Sequence, residues 1–401
     1  MTAPDLLARV RARLADGGGA AGAAGADAPA IIAAVRAETG GVVGDAELLD
    51  LVRVLRGELT GCGPLDPLLR MPGVTDVVVT APDSVWVDRG RGMERTGVAF
   101  DGDDAVRRLA VRLAGACGRR LDDARPWADA HLPGGVSGAG GGPAAGSGAG
   151  VRVHAVLSPP ARGATQLSLR VLHPARRGLA DVAADGFAPP EAVDLLRRIV
   201  AARLSFLVSG GTGTGKTTLL AALLAEADPA ERILCIEDTP ELDPAHPHVV
   251  SLTTRPANVE GAGEITQRDL VRQSLRMRPD RVVVGEIRGA EVVDLLAALN
   301  TGHDGGAGTV HANSAADVPA RLEALGALGG LGREALHAQL LPAIRVVLHV
   351  SRSGGRRRLD SIGVLGGPPA AVAPAWTAAG PGPARDALEA LLAARIPGEL
   401  P

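Results

Sequence analysis

The stretch that decides the fold is LVSGGTGTGKTTLL, Leu207 to Leu220. Its centre, Gly210-Gly211-Thr212-Gly213-Thr214-Gly215-Lys216-Thr217, satisfies GxxxxGK[ST] at every position. An apolar run, LSFLVS (204–209), precedes it and a helix-forming run follows. That strand–loop–helix context is what a phosphate-binding P-loop requires. Glycines let consecutive backbone N–H groups curl around phosphate oxygens, and the helix beginning there adds its positive N-terminus. On this reading Gly210, Gly211, Thr212, Gly213, Thr214, Gly215 and Thr218 line the phosphates of ATP. Lys216 reaches the β- and γ-phosphates, and Thr217 offers its hydroxyl to Mg²⁺.

Lys216 is also the only lysine in 401 residues; every other basic residue among the 42 is arginine. A GC-rich coding bias accounts for the missing lysines, as it does for 54 glycines and 1% aromatics. It does not account for the one that remains. A compact ammonium on a flexible stem fits inside a ring of amides, whereas a planar guanidinium is larger and fixes its donors in a fork.

Working outward, the length allows two or three domains with ample core. The formal net charge of −3 supplies no basic field for nucleic acid, and stacking aromatics are scarce. Cys62, Cys117 and Cys235 lack metal-ligand spacing and suit a reducing compartment. The opening MTAPDLLARVRARLADGG has no signal-peptide apolar region, and the uncharged runs at 132–151 and 361–384 are broken by Gly and Pro. The expectation is a cytoplasmic protein, peripheral at the inner face of the cytoplasmic membrane through partners.

Helical spacing marks 4–15 and about 29–60, joined by a flexible Gly/Ala linker. From residue 61 to 172 strands (74–80, 84–90, 151–157, 166–172) and a helix (103–121) predict an α+β domain. The glycine-rich insert 134–150 reads as a disordered loop tip, and 173–190 as an interdomain linker. Between 191 and 365 strands and helices alternate, which implies a parallel sheet covered by helices, closed by a hairpin at Gly354-Gly355. Residues 366–401 read as a Pro/Ala/Gly-rich tail with one helical stretch. The fold class expected is α/β: a RecA-like P-loop domain preceded by a smaller α+β domain and N-terminal helices.

Three further segments carry chemistry. RILCIEDTPEL (232–242) ends a strand in Glu237 and Asp238, with Glu241 following, carboxylates able to hold Mg²⁺ or orient water. RPDRVVVGEIRG (278–289) ends a buried strand in Glu286, placed to polarise an attacking water. TGHDGGAGTVHANS (301–314) sets His303 and His311 on either side of a strand.

In this order the segments resemble the Walker A, Asp box, Walker B and His box of the type II/type IV secretion and pilus-assembly ATPases. Residues 253–289 look specifically like the tight-adherence (Flp pilus, CpaF-like) branch, and the resemblance extends over about 61–365. It implies a homohexameric ring that binds ATP and Mg²⁺, acts on inner-membrane platform proteins and powers assembly or secretion of a pilus-like fibre. A DNA-conjugation motor and a non-hydrolysing scaffold are the rival readings. By the resemblance Glu286 is the Walker B glutamate, Glu241 the Asp-box glutamate and His311 a γ-phosphate sensor. Arg152 and Arg170 match arginines that reach over the nucleotide, Arg255 is a further contact, and His303 belongs to the His box. Two departures stand out: the glycine-rich insert interrupts the family's pattern, and Gly285 occupies the place where many other P-loop enzymes carry a Mg²⁺-linked aspartate.

Overall fold

The computed structural model describes residues 9, 10, 13, 28–39, 61–132, 150–173, 175–258, 260–354 and 356–395. The expected helix at 4–15 lies largely outside these residues. The linker after it as far as residue 27, all of 40–60 and positions 133–149 of the insert lie outside them. The chain divides into two compact units, residues 1–173 and 174–401.

The first unit holds a six-stranded sheet made of β1 (Asp76–Ala81), β2 (Ser84–Asp88), β3 (Met93–Arg95), β4 (Trp127–Leu132), β5 (Gly150–Val156) and β6 (Gln166–Leu172). The strand order is β3-β2-β1-β6-β5-β4, antiparallel throughout. Alternation puts Val77, Val79, Val85, Val87, Val153, Leu167 and Leu169 on one face, packed with Val106, Leu109 and Leu113 of the helix Asp103–Ala116. A sheet with one covered face shows this period-2 pattern clearly, so β1, β2, β5 and β6 were legible. The edge strands β3 and β4 were not, because β3 is exposed throughout and β4 reads WADAHL.

The second unit is built on nine strands: β7 (Phe206–Ser209), β8 (Ile233–Glu237), β9 (Val249–Thr253), β10 (Arg281–Ile287), β11 (Ala307–Val310), β12 (Val346–Ser353), β13 (Arg356–Gly366), β14 (Ala371–Thr377) and β15 (Gly380–Pro381). Their order is β15-β14-β13-β12-β7-β11-β10-β8-β9. From β12 to β9 the pairing is parallel, and from β12 to β15 it is antiparallel. Successive residues of the central strands feed opposite cores: Phe206 and Val208 one, Leu207 the other, with Val283 and then Val282 and Val284 following suit. Both faces are covered, which is why these strands read as unbroken apolar runs.

Two expectations are corrected here. Residues 175–190 are not a linker but part of the second unit. Ala175 bridges to Leu242, the helix Leu179–Ala184 follows, and Leu179, Val182 and Phe187 are buried in the main core. Nor is the C-terminal segment an appended tail. β14 and β15 extend the sheet, and the helix Arg385–Ala393 buries Leu388 and Leu392 beside Trp376. Pro and Ala content disguised both, since propensity is overridden by burial.

Leu388 is fully buried. Leu388→Ala is therefore expected to lower unfolding free energy by about 2–5 kcal/mol in a denaturant titration, whereas a tail residue would leave the midpoint unmoved.

Candidate active site

In a parallel sheet the loops at the carboxyl ends of the strands gather into a crevice, and here they carry the chemistry. β7 ends at Ser209, and the loop that follows turns through three left-handed glycines, Gly210 (φ 152°), Gly213 (φ 71°) and Gly215 (φ 96°). Gly210 has no room for a side chain in any case, because a Cβ there would fall 2.2 Å from the Val350 carbonyl oxygen. The helix Lys216–Leu224 begins directly after, with no side chain capping its N-terminus. Its first amides are thus left for an outside acceptor. Phosphate oxygens fit that cradle.

Lys216 is 8% exposed and its Nζ donates to the carbonyl oxygens of Gly210 (3.1 Å) and Gly211 (2.8 Å). Burial pulls its ammonium below the ordinary lysine value; Glu286 and Glu241 oppose this and Arg288 reinforces it. The loop thus holds its cation in place with its own backbone. Thr214 is fastened similarly, its hydroxyl donating to Gly211 (2.9 Å).

Glu286 stands near the end of β10 and His311 directly after β11. His311 Nε2 lies 2.6 Å from Glu286 Oε1, and this buried oxygen has no other partner among the described residues. Oε2 is bonded by the guanidinium of Arg288. Burial opposes ionisation of Glu286, but Arg288, His311 and Lys216 together outweigh it and hold the carboxyl below its usual range. Burial, Lys216 and Arg288 lower the His311 pKa against the pull of Glu286, keeping the imidazole neutral at physiological pH. The two strands are locked to each other here, because the buried Thr309 hydroxyl donates to the Gly285 carbonyl (2.6 Å). A carboxylate and a neutral imidazole thus stand together, within electrostatic reach of the loop's ammonium.

Glu237 does something other than expected. Its Oε1 accepts from the backbone N–H of Glu241 (3.1 Å) and of Leu242 (3.0 Å), and Oε2 also faces Leu242 N (3.2 Å). Burial pushes its carboxyl up to about 7, the two amides opposing and the Glu241 and Asp238 charges adding to the rise. The side chain lies over Gly285, where a Cβ would come within 2.6 Å of Glu237 Cγ. Glu237 thus fastens the Asp-box loop and is not turned to a cation; its placement also explains why β10 has glycine before Glu286. Asp238 accepts from the Thr254 hydroxyl (3.1 Å). Glu241 is half-buried in the same loop and its charge is felt by Lys216.

Two other candidates are not brought to the P-loop within one chain. His303 precedes β11, at the end opposite His311, and its Nδ1 lies 3.0 Å from the Ala298 carbonyl, closing the helix Glu291–Leu299. Arg255 follows β9 at the sheet's edge and donates to Gly263 O (2.8 Å). At about 4.8 Å per strand spacing, β9 is roughly 19 Å from β7. Arg152 and Arg170, in the first unit, face each other across β5 and β6, with Asp76 next in the same row. Arg170 donates to Asp76 (2.9 Å) and Arg152 to Asp129 (3.1 Å). Sequence reasoning missed Arg288, although its position two residues beyond Glu286 on an extended strand end puts both on one side.

Mg²⁺ needs few protein ligands when phosphate oxygens and water complete its shell. The Thr217 hydroxyl in the first turn of the helix suits that role. Among the described residues no cluster of three or more His, Cys, Asp or Glu forms a protein-only cage.

Residues 58–354, well over half of the chain, match the family described as type II/IV secretion system protein. The chain belongs to that family. It is 62% identical over 326 residues to "Putative conjugal transfer protein Rv3659c" of Mycobacterium tuberculosis, covering 81% of this chain and 90% of the relative. It is 34% identical over 337 residues to the type IV secretion system protein PtlH of Bordetella pertussis (76% and 94% covered). The X-ray structure of the Legionella pneumophila ATPase DotB shares the fold, with a TM-score of 0.51 at 20% identity over 73% of this chain and 76% of that one.

In this secretion-family protein the Gly285–Glu237 packing makes a testable pair. Gly285→Ala is expected to cost about 1–3 kcal/mol of stability through overpacking. Combining it with Glu237→Ala should give less than the sum of the single losses in a double-mutant cycle. Simple additivity would show that the two positions do not touch.

Proposed function

We propose that this protein is an ATP-hydrolysing motor that drives assembly or secretion of a pilus-like fibre of the tight-adherence (Flp) type. The observation that carries the reading is the pairing of Glu286 with His311 at the carboxyl ends of β10 and β11, within electrostatic reach of Lys216 in the loop after β7. A scaffold that only holds nucleotide has no use for an ionised carboxylate aimed at the end of the phosphate cradle.

In the proposed cycle Lys216 leaves its loop carbonyls for the β- and γ-phosphates. Glu286 orients the attacking water and draws its proton; its depressed pKa keeps it ready as an acceptor at neutral pH. His311, neutral, donates from Nε2 and follows the γ-phosphate. Glu241 orients groups from the Asp-box side. Thr217 and Asp238 are the residues that would hold Mg²⁺, which when bound neutralises charge developing on the β- and γ-oxygens. Arg152 and Arg170 are proposed to reach nucleotide in the assembled homohexamer, exchanging Asp129 and Asp76 for phosphate. His303 and Arg255, remote from the P-loop in their own chain, are left to contacts between subunits. The motor would work from the cytoplasmic face through inner-membrane platform proteins, in keeping with the lack of a helix long and apolar enough to cross a membrane among the described residues.

A second reading has a specific observation behind it: the Mycobacterium tuberculosis relative is named for conjugal transfer. A DNA-transfer motor should turn over faster when DNA is added.

Phosphate release by the purified protein tests both readings. Glu286→Gln should keep MgATP affinity within a few-fold and lose turnover, because only water activation is removed. Lys216→Arg should depress hydrolysis by orders of magnitude, the planar cation being unable to follow the γ-phosphate inside the cradle. Absence of hydrolysis in the wild type across assembly states would overturn the motor reading. Strong stimulation by DNA would replace the fibre with DNA as cargo.

A further inference from the structure

A cation that borders the P-loop, Arg357, has no part in this mechanism. β12 and β13 form a hairpin in which Arg352 stands opposite Arg357. The stem of Arg357 lies against the phosphate loop: a Cβ on Gly215 would be 3.2 Å from Arg357 Cδ and 3.9 Å from Nε. Gly215 is the left-handed residue that opens the P-loop helix, so Arg357 borders the cradle itself.

Among the described residues Arg357 makes neither a hydrogen bond nor an ion pair, while its neighbour Arg358 is paired to Asp360 (2.7 Å). The charges that face it are Arg352 and Arg177, both positive, and Arg177 already holds Asp185. Packing of its stem against the loop, then these two arginines, depress its pKa, although the residue as a whole is exposed to solvent. An exposed cation beside two like charges is relieved by an added anion, which is what a phosphate would supply.

The sheet order says which part of the anion. β7 has β11 and β10 on one side, carrying His311 and Glu286, and β12 and β13 on the other. A nucleotide whose γ-phosphate points to Glu286 therefore runs its nucleoside end toward the hairpin. We infer that Arg357 is a nucleotide-binding residue that takes the α-phosphate of ATP and of ADP. This rests on the ATPase reading above. Arg357 would hold nucleotide before and after hydrolysis, and it supplies no charge to the transferring phosphoryl group.

The test titrates wild type, Arg357→Gln and Arg357→Lys with MgATP and with MgADP, alongside melting of each protein without nucleotide. Arg357→Gln should weaken both nucleotides to the same extent, by about 10- to 100-fold, as expected for loss of a charge-assisted bond. Arg357→Lys should recover part of that, and KM should rise with kcat within a few-fold. Without nucleotide, Arg357→Gln should melt at or above the wild-type temperature, since an unpaired repelled cation has been removed. Unchanged affinity for MgADP, a loss confined to MgATP, or a nucleotide-free melting point several degrees lower would each overturn the assignment. A wild type that binds neither nucleotide would instead sink the ATPase reading on which it rests.

Discussion

The second unit depends on one constraint: a four-residue strand, β7, with every side chain buried and a parallel partner on each edge. A strand so enclosed offers no polar atom to solvent along its length, so its chemistry is confined to its ends. At the carboxyl end the chain has to leave the sheet while Val350 closes off the space beside Gly210, and only a glycine loop can make that exit. Where the neighbouring strands stop then settles which side chains stand at the loop: His311 from β11, Glu286 from β10, and the hairpin of β12 and β13 on the far side.

Charge at this junction is arranged in opposition. Glu286 is faced by the ammonium of Lys216, itself buried, by the exposed guanidinium of Arg288 and by the neutral imidazole of His311. Each buried charge is tolerable because its counter-charge is within reach, and removing one member leaves the others uncompensated. The Asp-box loop is secured separately by Glu237, which spends its carboxylate on two backbone amides and so cannot be turned to the nucleotide. A carboxylate at a strand end is ambiguous until its surroundings are seen.

That ambiguity marks the limit of what the sequence showed. The glycine turn after β7, the β/α alternation and the placement of Glu286 near a strand's end were legible because each rests on local pattern: a spaced glycine set, a doubly covered strand and a carboxylate at such a strand's end. The inward turn of Glu237 was not, since it is set by Gly285 some 48 residues later in the chain. His303 was drawn toward the site by its nearness to His311 in sequence, although a strand separates them and sends them to opposite ends of the sheet. Residues 175–190 and 371–393 looked like connectors because Pro, Ala and Gly dominate them, yet they pack Phe187, Trp376 and Leu388 into the main core. Composition reports what a segment would prefer alone and is silent on the surface that receives it.

The solitary lysine has a consequence of another kind. Its ammonium is buried and bonded to loop carbonyls, and all other basic side chains are guanidinium groups. The folded surface therefore presents no side-chain primary amine to acylating chemistry. Acetyl transfer, ubiquitin attachment and amine cross-linking, which shape the lifetime and assembly of many proteins, have a single side-chain address here. Occupying that address means entering the phosphate cradle.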